Sequence, residues 1–314
     1  MEYKKYKFNN YSIFKCDYSS LDDFLETIIT KPVNRMAFTS EDSDKRDDSN
    51  WSGTESFKDA WNLCRYTYDE EYSDFRDKVN RISYKITNKI EYKKCYKPVG
   101  SSVNVARYLF GIPNNMRSKE PVYSRPTINI YYQIAYDSMT EIEQIRNKGI
   151  LTLALINYLE NVKNYKVNLN FFELVHNSNE IIYIIINLKK DIEKLKIKKC
   201  YFPIVHPSFL RRLIFRAMEI IPDLENNWSS NGYGHPMNYE FAKMFLEYEN
   251  KLNRIKEEIE KSIYISTPEE LGIYGSNINE DIENFINLIN YKYRINEEEK
   301  TKKFKNDFYE VNPK

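Results

Sequence analysis

Asp137, Glu173, His206 and His235 are side chains whose chemistry can move protons or hold a divalent metal, and their placement gives a reason to consider them together. Asp137 follows the apolar run 127–135, Glu173 falls where a second run beginning at Lys166 ends, and His206 closes a short run at 200–205. If strands ending near Ala135, Phe172 and Val205 lie parallel, then Asp137, its neighbour Ser138, Glu173 and His206 leave the sheet at one edge. Open α/β sheets place their ligands at that edge. His235 lies in a loop able to close over it. A carboxylate pair with imidazoles suits a general acid and base or a divalent metal, the one cofactor the sequence suggests. The plainer reading is favoured, in which Asp137 and Ser138 turn the chain, Glu173 is solvated and His206-Pro207 is a strand exit. Histidines number only three, none at local ligand spacing, and His176 falls in an expected hairpin turn facing solvent.

Arg211, Arg212 and Arg216 form a second candidate, with Phe209 and Phe215 as neighbours. Guanidinium forks bind phosphate and aromatic rings stack on bases, so this stretch can offer nucleic-acid contacts. A helix capped by Ser208 and running to Ile221, with a solvated basic face, explains the same residues and is preferred. Gly232-Tyr233-Gly234 lacks the later Gly, Lys and Ser or Thr of a phosphate loop. Trp51 and Trp228 read equally as packing anchors or ligand platforms.

The elements that must position these groups follow from apolar spacing. With 314 residues, 41% apolar and 15% aromatic, the chain has ample material for a core. Ser19 or Ser20 caps a helix over 21–29, Ser56 with Asp59 opens another, and a third covers 103–110 before Gly111 and Pro113. The polar run 40–50 reads as a loop. From Thr127 the pattern becomes strand, helix (141–161, with Ile142, Ile145, Leu151, Leu155 and Leu159 on one face) and strand. A hairpin of 171–175 and 181–188 follows, then a short edge strand at 200–205 containing Pro203. Two polar helices, about 239–262 and 278–294, and a charged tail from Asn296 complete the chain; Thr267-Pro268-Glu269-Glu270 is a further helix start. The expectation is an α/β protein: a central mixed sheet with flanking helices in residues 121–225, an α-rich amino-terminal region (1–120) and a carboxyl-terminal loop and helical region (226–314).

Lysine and arginine total 47 against 46 acids, so no global field draws the protein to nucleic acid or anionic lipid, and any charged partner must meet a local patch. Cys16, Cys64, Cys95 and Cys200 form no C-x-x-C pair and no apolar leader opens the chain, which fits reduced thiols in a cytosol. No window approaches the ~18 apolar residues of a membrane helix, so no membrane partner is expected.

Asp137-Ser138-Met139-Thr140 after a first strand resembles the metal-binding loop of von Willebrand factor A domains, with Met139 where that loop carries a serine. The strand, helix and hairpin order is similar to that fold, which is otherwise Rossmann-like. Three further stretches are Trp51-Ser52-Gly53-Thr54 with Ser56-Phe57 and Ala60, Val99-Gly100 with Val103-Asn104-Val105-Ala106-Arg107-Tyr108-Leu109-Phe110-Gly111-Ile112-Pro113-Asn114-Asn115-Met116, and Arg146-Asn147-Lys148-Gly149 with Leu159-Glu160. Together they resemble an uncharacterised family found in bacteriophages and prophages. That resemblance implies a phage-encoded protein in the host cell cytoplasm and carries no reaction. The resulting expectation is a non-catalytic binding protein with a protein partner, nucleic acid being an alternative partner through the basic helix. A metal-assisted enzyme acting on nucleotides or nucleic acid, and a virion component, are the other two readings.

Overall fold

The computed structural model describes residues 1–33, 49–66, 68–87, 92–121, 127–161, 165–222, 224, 233–252 and 262–293. Most of the polar run 40–50, Trp228, Gly232 and the tail from Asn296 lie outside them. The elements in chain order are β1 (Glu2–Phe8), β2 (Tyr11–Tyr18), α1 (Leu21–Thr30), α2 (Ser49–Ser52), α3 (Phe57–Arg65), α4 (Tyr72–Thr87), β3 (Tyr92–Lys97), β4 (Ser102–Val103), α5 (Val105–Leu109) and β5 (Met116–Pro121). Then follow β6 (Thr127–Gln133), α6 (Ile142–Asn161), β7 (Lys166–Asn177), β8 (Glu180–Lys189), α7 (Ile197–Val205), a π-helix (Phe209–Ile214), α8 (Phe215–Glu219), β9 (His235–Pro236), α9 (Tyr239–Leu252), β10 (Ser262–Ile265) and α10 (Ile278–Tyr293).

Seven strands form one mixed sheet in the order β1-β2-β8-β7-β6-β10, with β9 also on β7. β6 runs parallel to β7 and to β10, β7 and β8 make the antiparallel hairpin, and β8 runs parallel to β2. β8 is an almost unbroken apolar run because both its faces are covered. Alternation along β7 sends Leu169, Phe171 and Val175 into one core and Phe172 and Leu174 into the other. Residues of α1, α3, α4, α6, α7 and α10 join the first core. Among the described residues α9 is the helix on the second, through Ala242, Phe245 and Leu246. Beneath α9, Lys15 Nζ lies 2.6 Å from Glu249 Oε2, and the Tyr6 hydroxyl donates to the same carboxylate. A separate three-stranded sheet, β3-β5-β4, carries α5. No helix among the described residues is long and apolar enough to cross a membrane. Cys16, Cys64 and Cys200 are free thiols.

The caps follow sequence expectation: Ser20 accepts from the Asp23 amide and Ser56 from the Asp59 amide, while Asn104 caps the shorter helix α5. Four elements depart from it. The first 100 residues are not merely α-rich, because β1 and β2 belong to the main sheet; β2 buries Ile13, Phe14, Cys16 and Tyr18, and the lysines interleaved in β1 hid the pair's apolar register. Residues 200–205 are helical, not a strand, because all six are buried and an all-apolar run has no visible period. Pro203 lies inside α7, where it withholds the amide that would otherwise reach the Lys199 carbonyl. Ser208 makes no cap hydrogen bond, and the stretch after it winds as a π-helix before α8. The carboxyl-terminal region, expected to be helical, also supplies β10.

Helix α6 fixes the sheet to the helical layer through four consecutive residues. Arg146 pairs with Glu71 at 2.7 Å, Asn147 Nδ2 donates to Asp281 Oδ2 at 2.9 Å, and Lys148 Nζ donates to the Gln133 carbonyl at 2.5 Å. Gly149 lets α7 approach: a Cβ there would stand 1.7 Å from Ile204 Cγ2.

Candidate functional site

β6 ends at Gln133 while β7 continues to Asn177, and beyond the end of β6 the strand β9 pairs with β7 at Val175 and His176. The interruption leaves a cavity of about 410 Å³. It is lined by Ala135, Tyr136, Asp137 and Ser138 from the segment after β6, by Glu173 and Val175 of β7, and by Tyr233, Gly234 and His235 at β9. Trp51, Arg211 and Phe215 come in from the helical layer. Phe215 and Tyr233 stack with ring centres 3.8 Å apart, and the Tyr233 hydroxyl donates to the Glu219 carboxylate.

Glu173 is 2% exposed, and its Oε2 finds no hydrogen-bond partner among the described residues. Burial pushes its carboxyl up to about 8, against a smaller opposing pull from the Lys148 charge. At neutral pH the side chain therefore keeps its proton and offers a neutral O–H donor. Lys148, which donates to the Gln133 carbonyl, is buried with its Nζ 4.2 Å from the Tyr132 ring centre. Burial lowers its ammonium to about 7, opposed by the charges of Glu269, Glu173 and Glu270.

Arg211 closes the roof as a clamp. Its Nη1 donates to the Trp51 carbonyl at 2.5 Å and Nη2 to the Ser138 carbonyl at 3.1 Å, and the guanidinium lies 4.6 Å from the Trp51 ring centre. Trp51 Nε1 also donates to the Ser138 carbonyl, at 3.3 Å. Arg212 is fully buried, with Nη2 donating to Ser52 Oγ and to the Thr54 and Glu55 carbonyls. Arg216 Nε donates to the Ile28 carbonyl. The expectation of a solvated basic face is therefore corrected. The π-helix turns Arg211 and Arg212 inward onto the Trp51-Ser52-Gly53-Thr54 segment, which carries carbonyls for them. Ser208 Oγ binds the same segment, donating to the Ser52 carbonyl at 2.5 Å.

Of the residues selected by sequence, the cavity gathers Asp137, Ser138, Glu173, His235 and Arg211; His206, Arg212 and Arg216 lie elsewhere. His206 ends a helix rather than a strand, and stacks on Phe202 with ring centres 4.7 Å apart while Tyr68 meets it edge-on. Its Nδ1 accepts from the Ser208 amide, and burial, with the nearby Arg146 charge, takes its imidazole down to about 4. Glu173 is buried, not solvated. His235 is exposed on β9, 6.2 Å between ring centres from His176, which is paired in the sheet rather than projecting from the hairpin turn. Asp137 does make a turn: its Oδ1 accepts from the Met139 amide at 2.9 Å. A divalent ion fits this loop poorly, since Met139 is 84% exposed and, among the described residues, no three His, Cys, Asp or Glu side chains stand close enough to share a metal. Sequence reasoning passed over Lys148, Tyr136 and Tyr233. Lys148 had a signal, because it interrupts the apolar stripe Ile145, Lys148, Thr152, Leu155 of α6.

Fold and site together define an α/β protein with a ligand-sized cavity where one parallel strand stops and its neighbour continues. The chain belongs to the family described as Domain of unknown function (DUF7192), which it matches over residues 4–293. Among curated proteins and solved structures none matches it.

Proposed function

We propose that the protein is a non-catalytic binding protein that seats a small, planar, uncharged ligand in the cavity beyond the end of β6. The observation that carries this reading is Glu173: a buried carboxyl, protonated at neutral pH, with an unpartnered oxygen, lining a cavity walled by aromatic rings. Leaving such a group unpaired is costly, and a ligand that accepts its proton and supplies a donor in return removes the cost. Trp51, Tyr136, Phe215 and Tyr233 favour a flat ring system over an extended aliphatic chain. Arg211 gives two of its donors to protein carbonyls and stacks on the Trp51 ring, so it shapes the roof of the site.

The order β6, α6, β7, β8 supports a scaffold similar to von Willebrand factor A domains, with a binding role that does not require their metal. The phage source and the host cytoplasm belong to this proposal through the motifs at 51–60, 99–116 and 146–160. Two of those stretches touch this region: Trp51 lines the cavity, and Lys148 donates to the Gln133 carbonyl at the end of β6.

Thermal-shift screening of the whole chain with a panel of nucleobases and related flat heterocycles tests the reading. At least one compound should raise the melting temperature, and Glu173→Leu should weaken it by about tenfold or more, the loss of one buried hydrogen bond. A panel that produces no shift at millimolar concentration, or a shift that Glu173→Leu leaves untouched, overturns it.

A further inference from the structure

The basic helix is buried, yet the chain holds one strongly cationic module elsewhere. Residues 92–121, the small sheet β3-β5-β4 with α5, contain Lys93, Lys94, Lys97, Arg107, Arg117 and Lys119 against Glu120 alone. With the whole chain at +1, this module carries +5 and the remainder −4. The register sets position 94 opposite 119 and 96 opposite 117, and alternation brings those four positions to one face. On that face the Arg107 guanidinium lies 4.4 Å from the Tyr96 ring centre, and Asn104 Nδ2 donates to the Tyr96 hydroxyl at 3.0 Å. Next to it Tyr108 is 63% and Phe110 83% exposed. Asn104 and Arg107 hold the short helix in place: the Asn104 side chain accepts from the Arg107 amide, and Arg107 Nε donates to the Asn114 carbonyl.

Arg107 and Arg117 thus stand beside the open rings of Tyr108 and Phe110, with Val99, Val105 and Leu109 also exposed. A protein interface concentrates apolar residues at its centre and depletes charge there. Charge beside open rings suits a backbone of phosphates whose bases turn onto rings. We propose that the module 92–121 is a docking surface for single-stranded nucleic acid, with Arg107 and Arg117 on phosphates and Tyr108 and Phe110 stacking on bases. The near-neutral whole-chain charge concealed it, because the rest of the molecule offsets the module.

Fluorescence anisotropy of the full chain with a labelled oligothymidylate of about 20 nucleotides tests this at about 50 mM salt. Binding is expected, with an affinity that falls as salt rises, and each of Tyr108→Ala and Phe110→Ala should weaken it by about tenfold. The charge reversal Arg117→Glu should also weaken it while the melting temperature holds. Absence of binding, binding that survives both aromatic substitutions, or attachment to phosphatidylserine vesicles but not to the oligonucleotide overturns the proposal. Should either aromatic variant unfold, Tyr108→Leu and Phe110→Leu keep the apolar surface without a ring and read the same stacking.

Discussion

At the residue scale the molecule turns on one acid and one base placed against their solvation. Glu173 has a folded value near 8 against an ordinary 4.5, so the folded state binds the extra proton between those limits and its stability falls as pH rises through them. Lys148 works in the opposite sense over a higher window, from about 7 to 10.5, where the unfolded chain holds the proton that the folded one has lost. Glu173→Gln removes the first contribution. The variant should match the wild type near pH 4 and melt higher at pH 9, by roughly 10 °C, given ~1.4 kcal/mol per unit over the displacement from 4.5 to about 8 and about 2 °C per kcal/mol. Differential scanning calorimetry across that range checks it, and a gap that stays constant with pH would show that Glu173 does not titrate as described. Ligand binding should share the dependence, declining above pH 8 in the wild type and staying level in Glu173→Gln, whose amide keeps a donor.

Among elements, the joint between α6 and α7 is the least tolerant. Gly149→Ala puts a methyl group into Ile204, which packed neighbours on both helices cannot yield to, and a loss of about 1–3 kcal/mol in urea unfolding is expected. Arg212→Ala strips the donors from the Thr54 and Glu55 carbonyls and should release the roof segment. Trypsin should then cut near residue 58 in the variant before it cuts the wild type. The same elements show what the sequence made legible and what it did not. Ser20 and Ser56 announced their helices because capping is a local bargain between a side chain and an amide two or three residues on. The run β6, α6, β7, β8 was legible from period alone. Residues 200–205 were not, because burial on all sides erases period, and the β1–β2 pair was not, because three of the seven residues of β1 are exposed lysines. At the site, Asp137, Ser138, Glu173 and His235 were found through the strand-exit rule, whereas His206 was assigned to it through a strand that is a helix. The inward turn of Arg211 and Arg212 depends on a π-helix and on a segment some 160 residues away, neither of which leaves a local trace.

Across the whole molecule, the sheet draws strands from residues 2–18, 127–189, 235–236 and 262–265, so distant parts of the chain complete one another. The module 92–121 differs, for its three strands pair only among themselves. Replacing it with a short Gly-Ser linker should therefore leave the circular dichroism spectrum and melting temperature of the remainder close to those of the parent, while oligonucleotide binding disappears. A linker variant that fails to fold would show that the module braces the sheet.

The order of strands also has a consequence for how copies of this protein meet. β1 stands at one border of the main sheet, and three of its seven residues, Lys4, Lys5 and Lys7, are exposed ammonium-bearing side chains. A strand from a neighbouring molecule, arriving in the same register, would bring matching positive charge against positive charge and dehydrate both. The lysines thereby disfavour pairing at that border, and exchanging all three for threonine would open a template for fibre growth.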